Sequence, residues 1–179
     1  TDADELNKAL ATVDHVVLLA GLAGDPITKK YPTESKMIND TGIKGVSDAC
    51  KNHPIEKLVF ISTCSNYGLI EGDQLADEQF ELKPLSLYAK SKVSAEKYLL
   101  SLEGKVDFQP TILRFATAFG LSPRMRFDLT ISEFTRELAI GNELEVYDAD
   151  TWRPYCHVKD FARLIDTVLK APEEKVSFE

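Results

Sequence analysis

Apolar residues along this chain fall into two alternating textures. Residues 14–20 are a near-continuous apolar run, and Lys57-Leu58-Val59-Phe60-Ile61 and Thr111-Ile112-Leu113-Arg114-Phe115 are similar. Runs of this length, apolar on both alternate faces, predict strands buried in a parallel sheet. Between them the spacing changes to the helical one. Residues 35–51 carry Met37, Ile38, Val46 and Ala49 near helical spacing, weakened by Gly42 and Gly45, and residues 86–103, 129–140 and 158–169 give further helices. A short helix is predicted through Leu10, started by a capping box of Asp2 and Glu5, and a short strand over Leu144-Glu145-Val146-Tyr147.

Strands alternating with helices imply right-handed crossovers, hence an α/β, doubly wound, Rossmann-like parallel sheet with helices on both faces. Ligands of such sheets bind at the carboxyl ends of the strands. Ala20-Gly21-Leu22, Thr63 and Phe115-Ala116-Thr117 all fall there, so residues distant in sequence are predicted to meet on one edge.

Tyr88 and Lys92 stand four positions apart on a predicted helix, 25 residues after Thr63. That spacing puts both side chains on one helix face. A phenol is a poor base at neutral pH, and an adjacent cation favours its phenolate. Thr63, Tyr88 and Lys92 together are the set that deprotonates an alcohol during its oxidation. Taken alone, such a Tyr-Lys pair is more often a half-buried Tyr beside a solvated Lys.

Composition narrows the classes. The chain has 179 residues, 44% of them hydrophobic, and a formal net charge of −8, which argues against a nucleic-acid or anionic-membrane partner. Three cysteines without paired spacing argue against a disulfide framework and favour a reducing, cytoplasmic setting. Cys64 beside Thr63, and Cys156 beside His157, have no metal-ligand spacing to support them, so no metal is expected. Neither a signal peptide nor an apolar run of membrane-spanning length is present, so a membrane protein is not expected.

The ordered motifs Val17-Leu18-Leu19-Ala20-Gly21-Leu22, Asn39-Asp40-Thr41-Gly42, Ser62-Thr63-Cys64-Ser65-Asn66-Tyr67-Gly68, Tyr88-Ala89-Lys90-Ser91-Lys92, Leu113-Arg114-Phe115 with Phe119-Gly120, and Arg153 to Asp160 carry a resemblance across nearly the whole chain. It resembles the extended short-chain dehydrogenase/reductase family, the NAD-dependent nucleotide-sugar epimerases and dehydratases. The resemblance implies catalytic roles for Thr63, Tyr88 and Lys92. It implies NAD, with NADP as the alternative, beside Ala20, Gly21, Leu22, Asn39, Tyr88, Lys92 and Phe115. Thr117, Arg126 and Arg153 would face a nucleotide-diphosphate sugar, Arg124 more loosely, and Arg153 would suit a phosphate. His157 is expected to be structural and Asp160 a helix N-cap. A homodimer through the helix bearing Tyr88 and the helix before it is implied as well.

The departures also carry meaning. The family's opening Gly-x-x-Gly-x-x-Gly turn, which holds the dinucleotide pyrophosphate, is absent, and Gly21 and Gly24 follow what would be the fourth strand. Residues 1–125 thus match the C-terminal part of the NAD-binding domain. Residues 126–179 match part of the substrate-binding lobe and returning Rossmann elements, so the chain reads as a fragment expected to bind cofactor weakly by itself. Relatives that eliminate water carry an Asp-Glu pair after the active-site Thr, where this chain has Cys64 and Ser65. A 4-epimerase acting through a transient 4-keto sugar is therefore expected. A reductase or dehydratase of the same family and a non-catalytic binding subunit are the alternatives.

Overall fold

The computed structural model describes residues 2–72 and 74–172. Helix α1 (Ala3–Leu10) starts where Asp2 Oδ1 accepts from the backbone N–H groups of Asp4 and Glu5, at 3.0 and 3.3 Å. Strand β1 (His15–Leu18) follows. Helices α2 (Asp25–Lys30) and α3 (Pro32–Lys36) come next, each with a proline in its first turn, where the missing N–H costs nothing. The expected helix over 35–51 is one helical run of α3, a π-helical turn (Met37–Gly42) and α4 (Ile43–Cys50). Gly42 and Gly45 are absorbed without breaking it.

Strand β2 (Lys57–Thr63) passes into a 3-10 turn (Cys64–Tyr67), and helix α5 (Leu87–Leu100) leads on to β3 (Gln109–Phe115). These strands form a parallel sheet in the order β1-β2-β3, with Leu18 beside Phe60 and Thr63 beside Phe115. A second parallel pair joins β4 (Thr117–Phe119) to β5 (Tyr155–His157), flanked by α6 (Thr130–Ala139) and α7 (Val158–Lys170).

The core lies on the central strand. Leu58, Val59 and Phe60 are fully buried, and Leu10, Leu18, Ile43, Ala95 and Leu99 cluster with Leu58 and Phe60. Each Leu, Ile, Val or Phe among them contributes about 1.5–3 kcal/mol by leaving water. Packing Ala95 and Leu99 there presses α5 onto β2, which sets the position of everything else on that helix.

Two expectations fail locally. Residues 144–147 are irregular chain, with Val146 50% and Tyr147 78% exposed. A strand needs a partner to bond its backbone and a surface to cover its apolar side chains, and the described residues give this segment neither. The N-cap of α7 is His157, whose Nδ1 accepts from the Lys159 N–H at 3.2 Å, and Asp160 sits inside the first turn paired with Arg163. Residues 173–179, the end of the expected second unit, lie outside the described residues.

Candidate active site

Thr63 is the last residue of β2, and its Oγ1 accepts from the Ser65 N–H at 3.2 Å, capping the 3-10 turn. A hydroxyl has one donor and two acceptor positions, so this bond leaves its proton to give away. One strand over, Phe115 ends β3 and stacks on Phe161 of α7, ring centroids 3.9 Å apart. Helix α5 begins beside these ends because Ser86 Oγ accepts from the Ala89 N–H at 3.1 Å.

Tyr88 lies in the first turn of α5 and Lys92 in the second. Lys92 is only 3% exposed, and its Nζ donates to the Ile61 carbonyl at 2.7 Å, close to the end of β2. The ammonium lies 4.5 Å from the Phe60 ring centroid and 5.8 Å from that of Tyr88, so it meets aromatic faces. Burial lowers its pKa to about 8, against the pull of Glu96, so it remains mostly charged at neutral pH.

The phenol of Tyr88 behaves differently from the sequence expectation. Burial raises its pKa, Arg126 draws it down, and Cys64 pushes it up. Arg126 is thus a further cation acting on the phenol, while Lys92 lies against the Tyr88 ring and is bonded to the strand. Arg126 itself lies across Gly24, where an added Cβ would come within 3.3 Å of a guanidinium nitrogen, and it pairs with Asp128 at 2.5 Å. Gly24 has φ +99°, so a side chain there would be strained as well as crowded.

Asn39 holds the loop after β1. It is fully buried in the π-helical turn, its Oδ1 accepts from the Leu22 N–H at 2.8 Å, and its Nδ2 donates to the Leu22 carbonyl at 2.9 Å. A Cβ on Gly21 would stand 3.1 Å from the same Oδ1. Asn39 therefore clamps Gly21 and Leu22 from beneath, while Ala20 and Gly21 stay exposed. π-Helical turns concentrate at functional sites because they re-aim one side chain.

Thr117 opens β4, its N–H donating to the Pro154 carbonyl at 3.1 Å, which brings Arg153 beside it. Arg153 is exposed and within electrostatic reach of the Cys64 thiol, whose pKa burial raises and Arg153 lowers. Gly120, at φ +129°, packs against His157, where an added Cβ would lie 2.8 Å from Nε2. His157 is thus held as a cap and packing group.

The structure also contains a buried polar cluster that the sequence expectation missed: Ser62, Asn66, Glu96 and Arg114. The available signal was Glu96 four residues after Lys92 on the same helix face. Among the described residues no group of three or more His, Cys, Asp or Glu side chains is placed to hold a metal. All three cysteines are free, and no helix among the described residues is long and apolar enough to cross a membrane.

The model of the NAD dependent epimerase/dehydratase family matches residues 1–179. UDP-glucuronate 4-epimerase 1 of Arabidopsis thaliana is 28% identical over 169 residues, covering 90% of this chain and 39% of that protein. A solved UDP-glucuronic acid 4-epimerase from Bacillus cereus, in complex with UDP-glucuronic acid and NAD, superposes with a TM-score of 0.83 at 26% identity, over 99% of this chain and 55% of its own. A UDP-N-acetylglucosamine 4-epimerase from Methanobrevibacter ruminantium gives 0.80 at 29% identity, covering 91% and 54%. The chain spans about half the length of the curated relatives it matches, 52%, 54% and 51% for three of them.

Proposed function

The chain belongs to the NAD dependent epimerase/dehydratase family, and from that premise we propose that this protein is a nucleotide-sugar 4-epimerase working through a transient 4-keto sugar. The observation that carries the reading is Thr63 at the end of β2, with Tyr88 and Lys92 on α5 bonded to that strand through Ile61, followed by Cys64 and Ser65, which bring no carboxylate. The nearby acids are already engaged, Asp128 with Arg126 and Glu96 with Arg114. Elimination of water needs an added acid and base, whereas oxidation and re-reduction at one carbon need only a proton acceptor that later returns the proton.

In this reading Thr63 donates a hydrogen bond to the sugar hydroxyl and orients it. Tyr88 accepts the hydroxyl proton, and Arg126 and Lys92 are the cations that make room for its negative charge. Once the keto sugar has rotated, return of the proton from the same phenol, with the hydride given back to the opposite face of C4, would give the inverted alcohol. Thr117, Arg126 and Arg153 would bind the nucleotide-diphosphate sugar, Arg153 at the diphosphate. The residues present fit the nicotinamide-ribose half of NAD. The Lys92 ammonium has three N–H groups and gives one to the Ile61 carbonyl, which suits ribose hydroxyls. The exposed backbone of Ala20 and Gly21, the clamped Leu22 with Asn39 beneath it, and the ring of Phe115 would line its other side. NAD bound there supplies the two-electron acceptor for oxidation at C4.

Residues 1–125 would then form the later part of the dinucleotide-binding domain and residues 126–179 part of the substrate lobe. A cytoplasmic homodimer through α5 and the preceding helical run belongs to the same reading. Exposed Met37, Ile38 and Leu87 on those elements, 62%, 41% and 48% accessible, support it. The test is to supply the full protein with UDP-glucuronic acid or UDP-glucose and NAD, following C4 configuration by NMR and NADH by absorbance. C4-inverted sugar without net NADH is the expected result. Net NADH turnover would make the protein a reductase, and a dehydrated sugar a dehydratase.

A further inference from the structure

A carboxylate that is 1% exposed, as Glu96 is, requires compensation, because an uncompensated buried charge is strongly unfavourable. Three side chains supply it, those of Arg114, Asn66 and Ser62. Oε2 lies 2.8 Å from Arg114 Nη2 and 3.1 Å from Arg114 Nε. Oε1 accepts from Asn66 Nδ2 at 2.7 Å and from the Ser62 hydroxyl. Arg114 is anchored in turn by the Tyr67 hydroxyl at 3.2 Å and the Glu78 carbonyl at 3.0 Å. β2, the 3-10 turn and β3 thus all grip one side chain of α5. Tyr88, Lys92 and Glu96 follow one another at four-residue spacing along a single helix face.

We propose that Glu96 is a positioning residue of the site: gripped by Arg114, Ser62 and Asn66, it fixes the rotation of α5 on β2 and supplies the counter-charge that lets the Lys92 ammonium stay buried against Ile61. This rests on the reading of Tyr88 and Lys92 as site residues. The groups around Lys92 agree with it. β2 offers the Phe60 ring and the Ile61 carbonyl. The 3-10 turn carries Cys64 and Tyr67. The helical run before β2 carries Asp40, which is paired with Lys44 at 2.7 Å and Ser94 at 2.9 Å. Arg114 on β3 is engaged by Glu96, and Arg126 acts on Tyr88. Glu96, one turn further along the same helix face, raises the Lys92 pKa against burial.

The test reads Lys92 directly. In the full protein, NMR of 13Cε-labelled lysine follows the Lys92 titration in the parent, in Glu96→Gln, and in the pair Glu96→Gln/Arg114→Met. The second variant removes both members of the Glu96–Arg114 pair, so the guanidinium is not left unpaired, and it keeps the test valid where Glu96→Gln does not fold. The parent is expected to titrate near pH 8. Both variants are expected to titrate lower by about half a pH unit or more, a threefold or larger fall in proton affinity. Glu96→Asp, which keeps the charge, is expected to stay nearer the parent. The alkaline limb of kcat/KM should move with the NMR titration. A Lys92 titration at the parent pH in the folded variants overturns the proposal, even with reduced thermal stability. Because the NMR signal needs no turnover, a shifted Lys92 in a protein that epimerises nothing would count against the proposed function and leave this inference standing.

Discussion

Lys92 reaches beneath Tyr88 to the neighbouring strand, its ammonium donating to the Ile61 carbonyl at 2.7 Å. One bond therefore joins the helix that carries the phenol to the strand that carries Thr63. The side chain is nearly fully buried, and this has a thermodynamic consequence.

Burial lowers the Lys92 pKa from 10.5 to about 8. Between those values the unfolded chain holds a proton that the folded chain has released, so stability rises with pH across this window. Below about pH 8 the full cost of a buried ammonium applies, about 3 kcal/mol from a shift of this size. Urea unfolding of the parent and Lys92→Met, compared at pH 7 and pH 10, should show the parent gaining on the variant as pH rises. A constant difference would mean that Lys92 titrates normally.

Arg126 is the cation that draws the Tyr88 phenol down against burial. Replacing it with Gln should raise the pH at which Tyr88 ionises, read as tyrosinate absorbance against a Tyr88→Phe background. Turnover at neutral pH should fall roughly tenfold or more, since a base of higher pKa is less often available. An unchanged titration would assign the tuning to another group.

Asn39 bonds both backbone groups of Leu22. Asn39→Ala leaves an N–H and a carbonyl without these partners and should cost about 1–3 kcal/mol of stability. Loosening the loop should also weaken NAD affinity about tenfold in the full protein, measured by titration calorimetry. Asn39→Asp keeps the acceptor for the Leu22 N–H and loses the donor, so it should fall between the two.

The sheet and its order of elements were readable because β1, β2 and β3 are short apolar runs set among helical spacings. Tyr88, Lys92 and Thr63 were readable from spacing and from their place at strand ends. Residues 144–147 misled because an apolar-alternating tetrapeptide is only a strand when something pairs with it. β4 and β5 were invisible, since three residues give too little period to detect. The Lys92–Ile61 bond and the Glu96–Arg114 pair lay beyond the sequence because each joins residues 18 or more positions apart. No local pattern records which buried charge finds which partner.

Tyr88 is the proton acceptor of the proposed reaction. Tyr88→Phe removes one oxygen and keeps the ring that packs over Lys92. In the full protein, with a UDP-sugar whose C4 inversion has been observed, it should cut kcat by about 100-fold to 10,000-fold. Sugar-nucleotide affinity should stay within about threefold, since the phenol acts on the proton more than on binding. Turnover equal to the parent's would contradict the account.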